Sequence, residues 1–163
     1  MKGFTPGLFD RLLDVPVSGA TSGLVARMNV EDLKDSVARD LEALLNTRTV
    51  IPEGILKQFP ECGRSIVTYG LNDFAGRSLS STDDRAYICQ CLEKAIARHE
   101  PRLRNVKASL EFREDSINRL NFAITALMVV STSQEPVNFD AVLQPSSLQY
   151  TISKARRTAS AGA

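Results

Sequence analysis

Two long stretches of the chain carry apolar side chains at helical spacing. The first runs from about Val30 to Arg48, with Asn29 as its predicted cap and acidic residues in its first turn. Its apolar positions come three or four residues apart and define one buried face: Leu33, Val37, Leu41, Leu44 and Leu45. This pattern predicts an amphipathic helix.

The second predicted helix starts near Thr82 and ends at residue 99 or 100. Pro101 sets that end, because proline disfavours helical geometry at the residue before it. The predicted buried side again follows helical spacing and comprises Ile88, Leu92, Ala95 and Ile96.

Alternation of apolar and polar residues replaces helical spacing after residue 106. Four strands are predicted, at about 106–112, 120–130, 137–143 and 148–152. In the second, Ala123, Leu127 and Val129 lie opposite the main apolar face, which predicts a central strand covered on both sides. The fold class is therefore α+β, with two long helices followed by a four-stranded antiparallel meander.

A short amphipathic helix is predicted at residues 4–14, with Thr5 as its cap and Pro6 in its first turn. Its apolar face comprises Leu8, Phe9, Leu12 and Leu13. At about ten residues it is too short to hold helical structure alone in water. The flexible linker at 15–23 leaves two alternatives open: the helix packs on its own domain, or it docks on a partner.

This pattern divides the chain into an N-terminal segment and linker at 1–23, an α+β domain at 24–153 and a disordered tail at 154–163. Residues 49–80 contain no regular pattern. Five apolar side chains within them predict that this stretch packs on the domain: Ile66, Val67, Tyr69, Leu71 and Phe74. No role is assigned to residues 49–65.

The junction between the second helix and the first strand breaks the alternation. Val106, Ala108 and Leu110 lie at alternate positions and so point to one face of the strand. If this alternation continued backwards, Arg104 and Arg102 would point to the same, buried face and Leu103 would point outwards. The strand must therefore change phase between residues 103 and 106, by a bulge or a late start. Such a break at a charged position is typical of a functional or strained site.

Composition narrows the functional classes. The chain has 163 residues with 20 basic and 19 acidic side chains, and this balance is not that of a nucleic-acid-binding domain. No apolar run is long enough to cross a bilayer, and the first residues lack the pattern of a secretory signal. Three cysteines form no disulfide framework, and we expect reduced, buried thiols.

Glu100 allows three interpretations. As the general acid of a glycoside hydrolase it would need a raised pKa, but its neighbours Arg98, Arg102 and Arg104 favour the carboxylate. No second catalytic carboxylate stands out, and the single histidine forms no metal or triad pattern with the cysteines. The alternatives are a local ion pair at a helix end, or a charged recognition corner in which Arg102 binds a partner carboxylate.

Three motifs in order bear on this choice: LEALLNTR at 41–48, TYGLND at 68–73 and HEPRL at 99–103. Together they resemble the small baseplate wedge proteins of contractile phage tails, often labelled lysozyme-like. The resemblance is closer to the corresponding baseplate subunits of bacterial type VI secretion systems, called TssE. The stretch LFDRLL near the start of this chain also resembles the opening of those subunits. It extends from about residue 8 to about residue 152.

This resemblance implies a structural, non-enzymatic subunit without a cofactor, metal or small-molecule substrate. Its implied partners are other baseplate wedge subunits and contractile sheath proteins, with no nucleic acid and no direct membrane insertion. Its implied location is the cytoplasm, within a baseplate at the inner membrane. The expected partner-binding residues are Glu100, Pro101, Arg102 and Arg48, together with Leu8, Phe9, Leu12 and Leu13 of the N-terminal helix. The meander edges are a further expected docking site, because an edge strand accepts a strand from another chain.

Overall fold

The computed structural model describes residues 4–12, 28–74, 76–78, 81–111, 119–130 and 133–155. The predicted linker at 15–23, most of the predicted tail, Leu13 and Phe112 lie outside these ranges. Helices α1 (Leu8–Leu12), α2 (Val30–Asn46), α3 (Glu53–Leu56) and α4 (Thr82–His99) come before four strands. The strands are β1 (Leu103–Glu111), β2 (Leu120–Val130), β3 (Ser133–Gln144) and β4 (Gln149–Lys154).

The strands form one antiparallel sheet in the order β1-β2-β3-β4, which confirms the α+β class and the predicted meander. Helices α2 and α4 pack on one face of it, α2 against β4 and α4 against β1. Every apolar position predicted to be buried in these two helices is buried. They meet side chains of alternate sheet residues in one core, among them Phe122, Ile124, Met128, Phe139 and Tyr150.

The ends of α2 and α4 follow from their sequences. Asn29 accepts a hydrogen bond from the Asp32 N–H at 2.8 Å, and the Asp32 carboxylate accepts one from the Asn29 N–H, so the predicted cap is confirmed. Helix α2 ends at Asn46, two residues before its predicted end. Helix α4 begins at Thr82 after a Ser81 cap and ends at His99, as predicted.

The predicted phase change in β1 is confirmed. The pairing of β1 with β2 shifts between Arg104 and Lys107, and Asn105 there has a φ of 52°. Asparagine tolerates this left-handed conformation better than most residues. The shift lets both Leu103 and Val106 point into the core, although they lie three residues apart on a strand.

Three predictions are corrected. Helix α1 begins at Leu8 and not at residue 4, and Phe4 instead pairs with Met28 through two backbone hydrogen bonds of 2.8 Å. In the 49–80 stretch, Ile66 and Val67 are exposed, whereas Tyr69, Leu71 and Phe74 pack on the core as expected. This stretch also contains α3 and two 3₁₀ turns, at Pro60–Arg64 and Ile66–Thr68, which no sequence pattern predicted.

The third correction concerns the outer face of the sheet. Ala123, Leu127 and Val129 are only half-buried, and Thr125 between them is exposed. Both long helices pack on the opposite face, so within the described residues this face of β2 has no covering layer.

The outer edge of β4 is occupied by side chains of α2. Ile152 donates its backbone N–H to the Glu42 carboxylate at 2.8 Å. The Asn46 amide accepts the Tyr150 N–H at 2.7 Å and donates to the Tyr150 carbonyl at 2.9 Å. An added strand would have to displace these bonds, so this edge does not offer the free template that the sequence suggested.

The outer edge of β1 is also partly occupied. The Ala108 N–H donates to the Glu93 carboxylate of α4 at 2.9 Å. Strand addition at β1 therefore meets the same obstacle as at β4.

Candidate interaction site

The Glu100 side chain closes the turn that ends α4. Its backbone N–H donates to the Ile96 carbonyl at 2.8 Å, and Pro101 then turns the chain away from the helix axis. The carboxylate folds over this turn and accepts the Arg102 backbone N–H at 3.1 Å. The Arg102 guanidinium donates to both carboxylate oxygens, from Nε at 2.7 Å and from Nη2 at 2.6 Å. Glu100 and Arg102 thus form a bidentate pair across the proline.

A second carboxylate, on α2, holds the same guanidinium. Arg102 Nη2 donates to Asp40 at 2.5 Å, and Nη1 donates to the Ser36 hydroxyl at 3.2 Å. Glu100 is 5% exposed, so its charge is balanced by this arginine and not by water. Burial opposes the charge on Arg102, but hydrogen bonds from Arg102 to Glu100 and Asp40 outweigh it and raise the pKa of Arg102 above its usual value.

Ser36 connects this pair to the N-terminal helix. Its hydroxyl donates to the buried Asp10 carboxylate of α1 at 2.9 Å. Asp10 also pairs with Arg39 and accepts the Gly7 backbone N–H at 3.0 Å. A continuous polar network therefore runs from α1 through α2 to the turn after α4. We call Asp10, Ser36, Arg39, Asp40, Glu100 and Arg102 the corner network.

The corner network holds α1 by its polar side. Leu8 is 68% exposed and Leu12 is 69% exposed, so one helical turn of α1 presents two leucines to solvent. Of the two alternatives for this segment, the structure shows contact with its own domain through Asp10, while these two leucines remain outside the core. The Phe9 side chain and Leu13 lie outside the described residues.

One of these leucines, Leu8, lines a groove with a volume of about 490 Å³. Its apolar lining also includes Leu41 and Leu44 of α2, Tyr69 and Pro101. Asp10, Arg39, Asp40, Glu100 and Arg102 of the corner network also line it. We call this the corner groove. It is an apolar trough bordered by paired charges, an arrangement typical of a binding site.

His99 lines the corner groove and links it to the preceding loop. Its Nε2 lies 2.9 Å from the Thr68 carbonyl, and its ring meets Tyr69 edge-on with centroids 5.4 Å apart. Burial lowers the pKa of His99 below its usual value, and the hydrogen bond to Thr68 opposes this shift.

Arg48 lies at a different place. It donates to the Leu45 carbonyl and to the Leu148 carbonyl, each at 2.7 Å, and so joins the end of α2 to the turn between β3 and β4. The structure therefore brings Glu100, Pro101, Arg102 and Leu8 together around one groove, whereas Arg48 is not among its lining residues.

Four members of the corner network were missed from the sequence: Asp10, Ser36, Arg39 and Asp40. The signal for two of them is their spacing. Ser36 and Asp40 are four residues apart and lie directly beside the apolar face of α2, where polar side chains reach neighbouring elements. For Asp10 the chain offers no local signal, because its partners lie 26 and 29 residues away.

Two carboxylates in one groove bear on the hydrolase interpretation. A glycosidase acid must hold a proton to give to the leaving oxygen. Here both oxygens of Glu100 accept hydrogen bonds from Arg102, and Asp40 binds the same guanidinium. The Glu100 oxygens are therefore already engaged as hydrogen-bond acceptors within the chain, an arrangement that does not suit a proton donor.

Metal binding and the exposure of the cysteines are the two remaining chemical questions. Among the described residues, no group of three or more histidine, cysteine, aspartate or glutamate side chains is placed to hold a metal ion. Cys89 and Cys91 are half-buried, and Cys62, whose exposure the sequence leaves open, is exposed. Burial raises the pKa of the Cys89 thiol.

Comparison with known proteins points to a family. A family model described as baseplate wedge protein gp25 matches residues 31–133, which extend from α2 to the first residue of β3 and include the Glu100–Arg102 pair. No curated protein matches the chain. In the part of the chain that the structure describes, no helix is long and apolar enough to span a membrane.

Proposed function

Because the chain belongs to the baseplate wedge protein gp25 family, we propose that it is a structural subunit of the baseplate of a contractile machine. We assign it more narrowly to a type VI secretion system, as a TssE-like subunit, on the three sequence motifs and the opening LFDRLL. In this role it binds other wedge subunits, helps to start assembly of the contractile sheath and works in the cytoplasm at the inner membrane. It needs no cofactor.

The corner groove is the observation that carries this proposal. Its lining combines apolar side chains, the exposed Leu8 of α1 among them, with charged side chains that are already paired, and Leu12 on the same helix is exposed as well. An apolar partner segment gains free energy by covering such a surface, at roughly 25 cal/mol for each Å² of apolar area removed from water. The paired charges add direction at the rim without leaving an unpaired charge inside the contact.

Docking in the corner groove takes the place of docking at a strand edge. The N–H groups of Ala108, Tyr150 and Ile152 at the sheet edges already have side-chain partners. A sheath or wedge strand that paired there would first break these bonds, whereas the groove is open.

The test is co-purification from cells that express the tagged full chain together with the wedge subunits of its own secretion system. The wild-type chain should retain these subunits, and a Leu8→Asp/Leu12→Asp double variant should retain at least about tenfold less, because it places charge on the exposed leucines of α1. Thr151→Asp adds one negative charge, against two in the double variant, on the exposed outer face of the sheet and should behave as wild type. Equal retention by all three proteins would remove the groove from the proposal.

A peptidoglycan muramidase is the second candidate, because Glu100 and Asp40 line one groove. Purified chain incubated with peptidoglycan should release no soluble fragments if the structural role is correct. Release by the wild-type chain that is lost in Glu100→Gln would favour the enzyme instead.

A further inference from the structure

A separate cavity lies at the turn between β3 and β4. Its volume is about 130 Å³, and none of its lining residues lines the corner groove. Six of the lining residues are apolar or aromatic: Phe74, Ile88, Leu143, Pro145, Leu148 and Tyr150. Its charged lining residues are Arg48, Asp73 and Arg77. We call this cavity the turn pocket.

The size of the turn pocket fits one aromatic ring. An apolar cavity of about 150 Å³ in a protein interior binds benzene, so a pocket of about 130 Å³ holds a single six-membered ring. Phe74 and Tyr150 are among the lining side chains, and aromatic pairs attract each other beyond the area that they bury. A phenyl ring is therefore a better occupant than an aliphatic side chain.

Leu148 brings an apolar side chain to the turn pocket at a cost in backbone conformation. Its φ is 54°, in the left-handed region that glycine adopts without strain and leucine rarely adopts. Two hydrogen bonds hold the turn: the Leu148 N–H donates to the Gln144 carbonyl at 2.8 Å, and Arg48 donates to the Leu148 carbonyl at 2.7 Å. The Leu148 side chain is 40% exposed. A strained, partly exposed leucine beside an apolar cavity is typical of a binding site.

Arg48 gives the turn pocket a positive charge that no carboxylate balances. Its guanidinium donates to two backbone carbonyls, which carry no net charge, and within the described part of the chain no carboxylate pairs with it. Arg77 differs, because the Asp84 carboxylate lies 3.0 Å from its guanidinium. Two cations and one acid, Asp73, thus line the pocket, so a ligand with a negative charge fits it better than one with a positive charge.

We propose that the turn pocket binds one aromatic side chain of another protein, and that a carboxylate on the next residue of that protein pairs with Arg48. Contact with Phe74 and Leu148 covers the ring. The Arg48 guanidinium is already held by two carbonyls, so it needs little reorganisation to bind the acid. This site is separate from the corner groove and does not depend on the proposed function.

A second copy of the chain is the rival occupant, because it presents an exposed phenylalanine. Phe59 is 57% exposed and belongs to a loop at residues 49–68, whose base is closed by a hydrogen bond of 2.9 Å from the Thr49 N–H to the Leu71 carbonyl. We call this segment the 49–68 loop. Its other exposed large apolar residues are Val50, Ile55, Ile66 and Val67.

The charges near Phe59 disfavour this contact. Glu61 comes two residues after Phe59 and is exposed, as the rival requires. Arg64 is also exposed and comes three residues after Glu61 in the same 3₁₀ turn, where side chains at that spacing lie on the same side. Arg64 would therefore bring a second cation to Arg48, and another protein with an acid alone beside its aromatic residue fits better.

The test is an NMR titration of the full chain with three capped four-residue peptides. Their sequences are Gly-Phe-Asp-Gly, Gly-Phe-Asn-Gly and Gly-Ala-Asp-Gly, so the second lacks the charge and the third lacks the ring. The Phe-Asp peptide should bind at least about threefold more tightly than the Phe-Asn peptide and at least about tenfold more tightly than the Ala-Asp peptide, with shifts at the amides of Leu148 and Tyr150. A Phe-Asp peptide that binds no more tightly than one of the two controls would overturn the proposal.

Variants locate the binding. Leu148→Gly removes a lining side chain and relieves the backbone strain, so it should weaken binding of the Phe-Asp peptide at least about threefold without lowering the melting temperature. Arg48→Gln should reduce the affinity for the Phe-Asp peptide to that for the Phe-Asn peptide. Arg104→Gln removes an exposed charge outside the pocket and should change neither affinity.

Wild-type affinity in Leu148→Gly would contradict the proposal. Arg48→Gln also loses a hydrogen bond to a carbonyl, so if it melts lower than wild type, Leu148→Gly and the three peptides decide the outcome.

Sedimentation velocity separates the two occupants. The wild-type chain should remain a monomer at the concentrations of the titration. Self-association that is lost in both Phe59→Ser and Leu148→Gly would assign the turn pocket to a second copy and overturn the choice of another protein.

Discussion

The corner network and the 49–68 loop differ in whether their side chains are satisfied by contacts within the chain. The corner network buries the charged side chains of Asp10 and Glu100 and pairs its charges with one another, so that Arg102 joins Glu100 to Asp40 within the chain. The 49–68 loop places apolar residues in water and gives them no cover. The first arrangement is complete in the single chain, and the second becomes favourable only when another surface covers it.

This difference changes the meaning of the Glu-Pro-Arg motif. One interpretation of the sequence was that the Arg102 guanidinium binds a carboxylate of a partner protein. In the structure Nε and Nη2 of Arg102 donate to carboxylates of the same chain, and Nη1 donates to the Ser36 hydroxyl. The motif first fixes the shape of the corner groove, and the exposed leucines beside it then provide the apolar contact.

The largest expected loss of stability comes from removing the contacts of Arg102 with Glu100 and Asp40. Arg102→Ala leaves Glu100 buried without its counter-charge, and we expect the free energy of unfolding to fall by about 3–5 kcal/mol, measured by urea denaturation. Arg102→Glu should be at least as damaging because it places a further acid beside Glu100 and Asp40. Arg104→Ala is the matched control: Arg104 is exposed two residues further on, in β1, and its loss should change stability by less than about 0.5 kcal/mol. Equal losses in Arg102→Ala and Arg104→Ala would show that the pair is not structural.

The base of the 49–68 loop should be the next most sensitive point. Gly70 has a φ of 119°, and a Cβ there would lie 2.6 Å from the Thr47 carbonyl oxygen. Gly70→Ala should therefore cost about 1–3 kcal/mol in the same assay. Gly54→Ala, in α3 with open space around it, should be neutral or slightly stabilising. A neutral Gly70→Ala would mean that the loop is not pinned at this place.

A smaller effect is expected where α1 joins the corner network. Asp10→Ala removes the ion pair with Arg39 and the acceptor for Ser36 and should lower stability by about 1–2 kcal/mol. A double-mutant cycle with Arg39→Ala measures the coupling directly. Purely additive effects would indicate that α1 is held by other contacts.

The smallest effect is a pH dependence at His99, which joins the two regions through Thr68. Its pKa is lowered in the folded chain, so the unfolded chain binds more protons near and below its usual value of 6.5. Stability from this residue is therefore present above that pH and is lost as the pH falls through it. His99→Gln should show a weaker loss than wild type between about pH 7 and pH 5.5 in paired thermal melts. Parallel curves would show that His99 does not contribute.

Local sequence patterns predicted the long helices and the strands of the sheet. Helical spacing located α2 and α4, and the parity of Leu103 and Val106 predicted the β1 bulge, because each signal depends on residues close in sequence. The sequence could not indicate that Ser36 and Asp40 bind Arg102, since they lie more than 60 residues away along the chain. The exposure of Ile66 and Val67 was missed for a related reason: composition does not show whether an apolar residue has a neighbour to pack on.

Sheath assembly in cells tests the central claim most directly. Cells that lack their own copy of the gene and carry a fluorescent sheath protein are complemented with wild type, Leu8→Asp/Leu12→Asp or Thr151→Asp, and extended sheaths are counted. Wild type and Thr151→Asp should restore sheaths, and the double variant should not, although its melting curve is unchanged. Normal sheath numbers in the double variant, or in cells without any copy, would contradict a wedge role exercised through the corner groove.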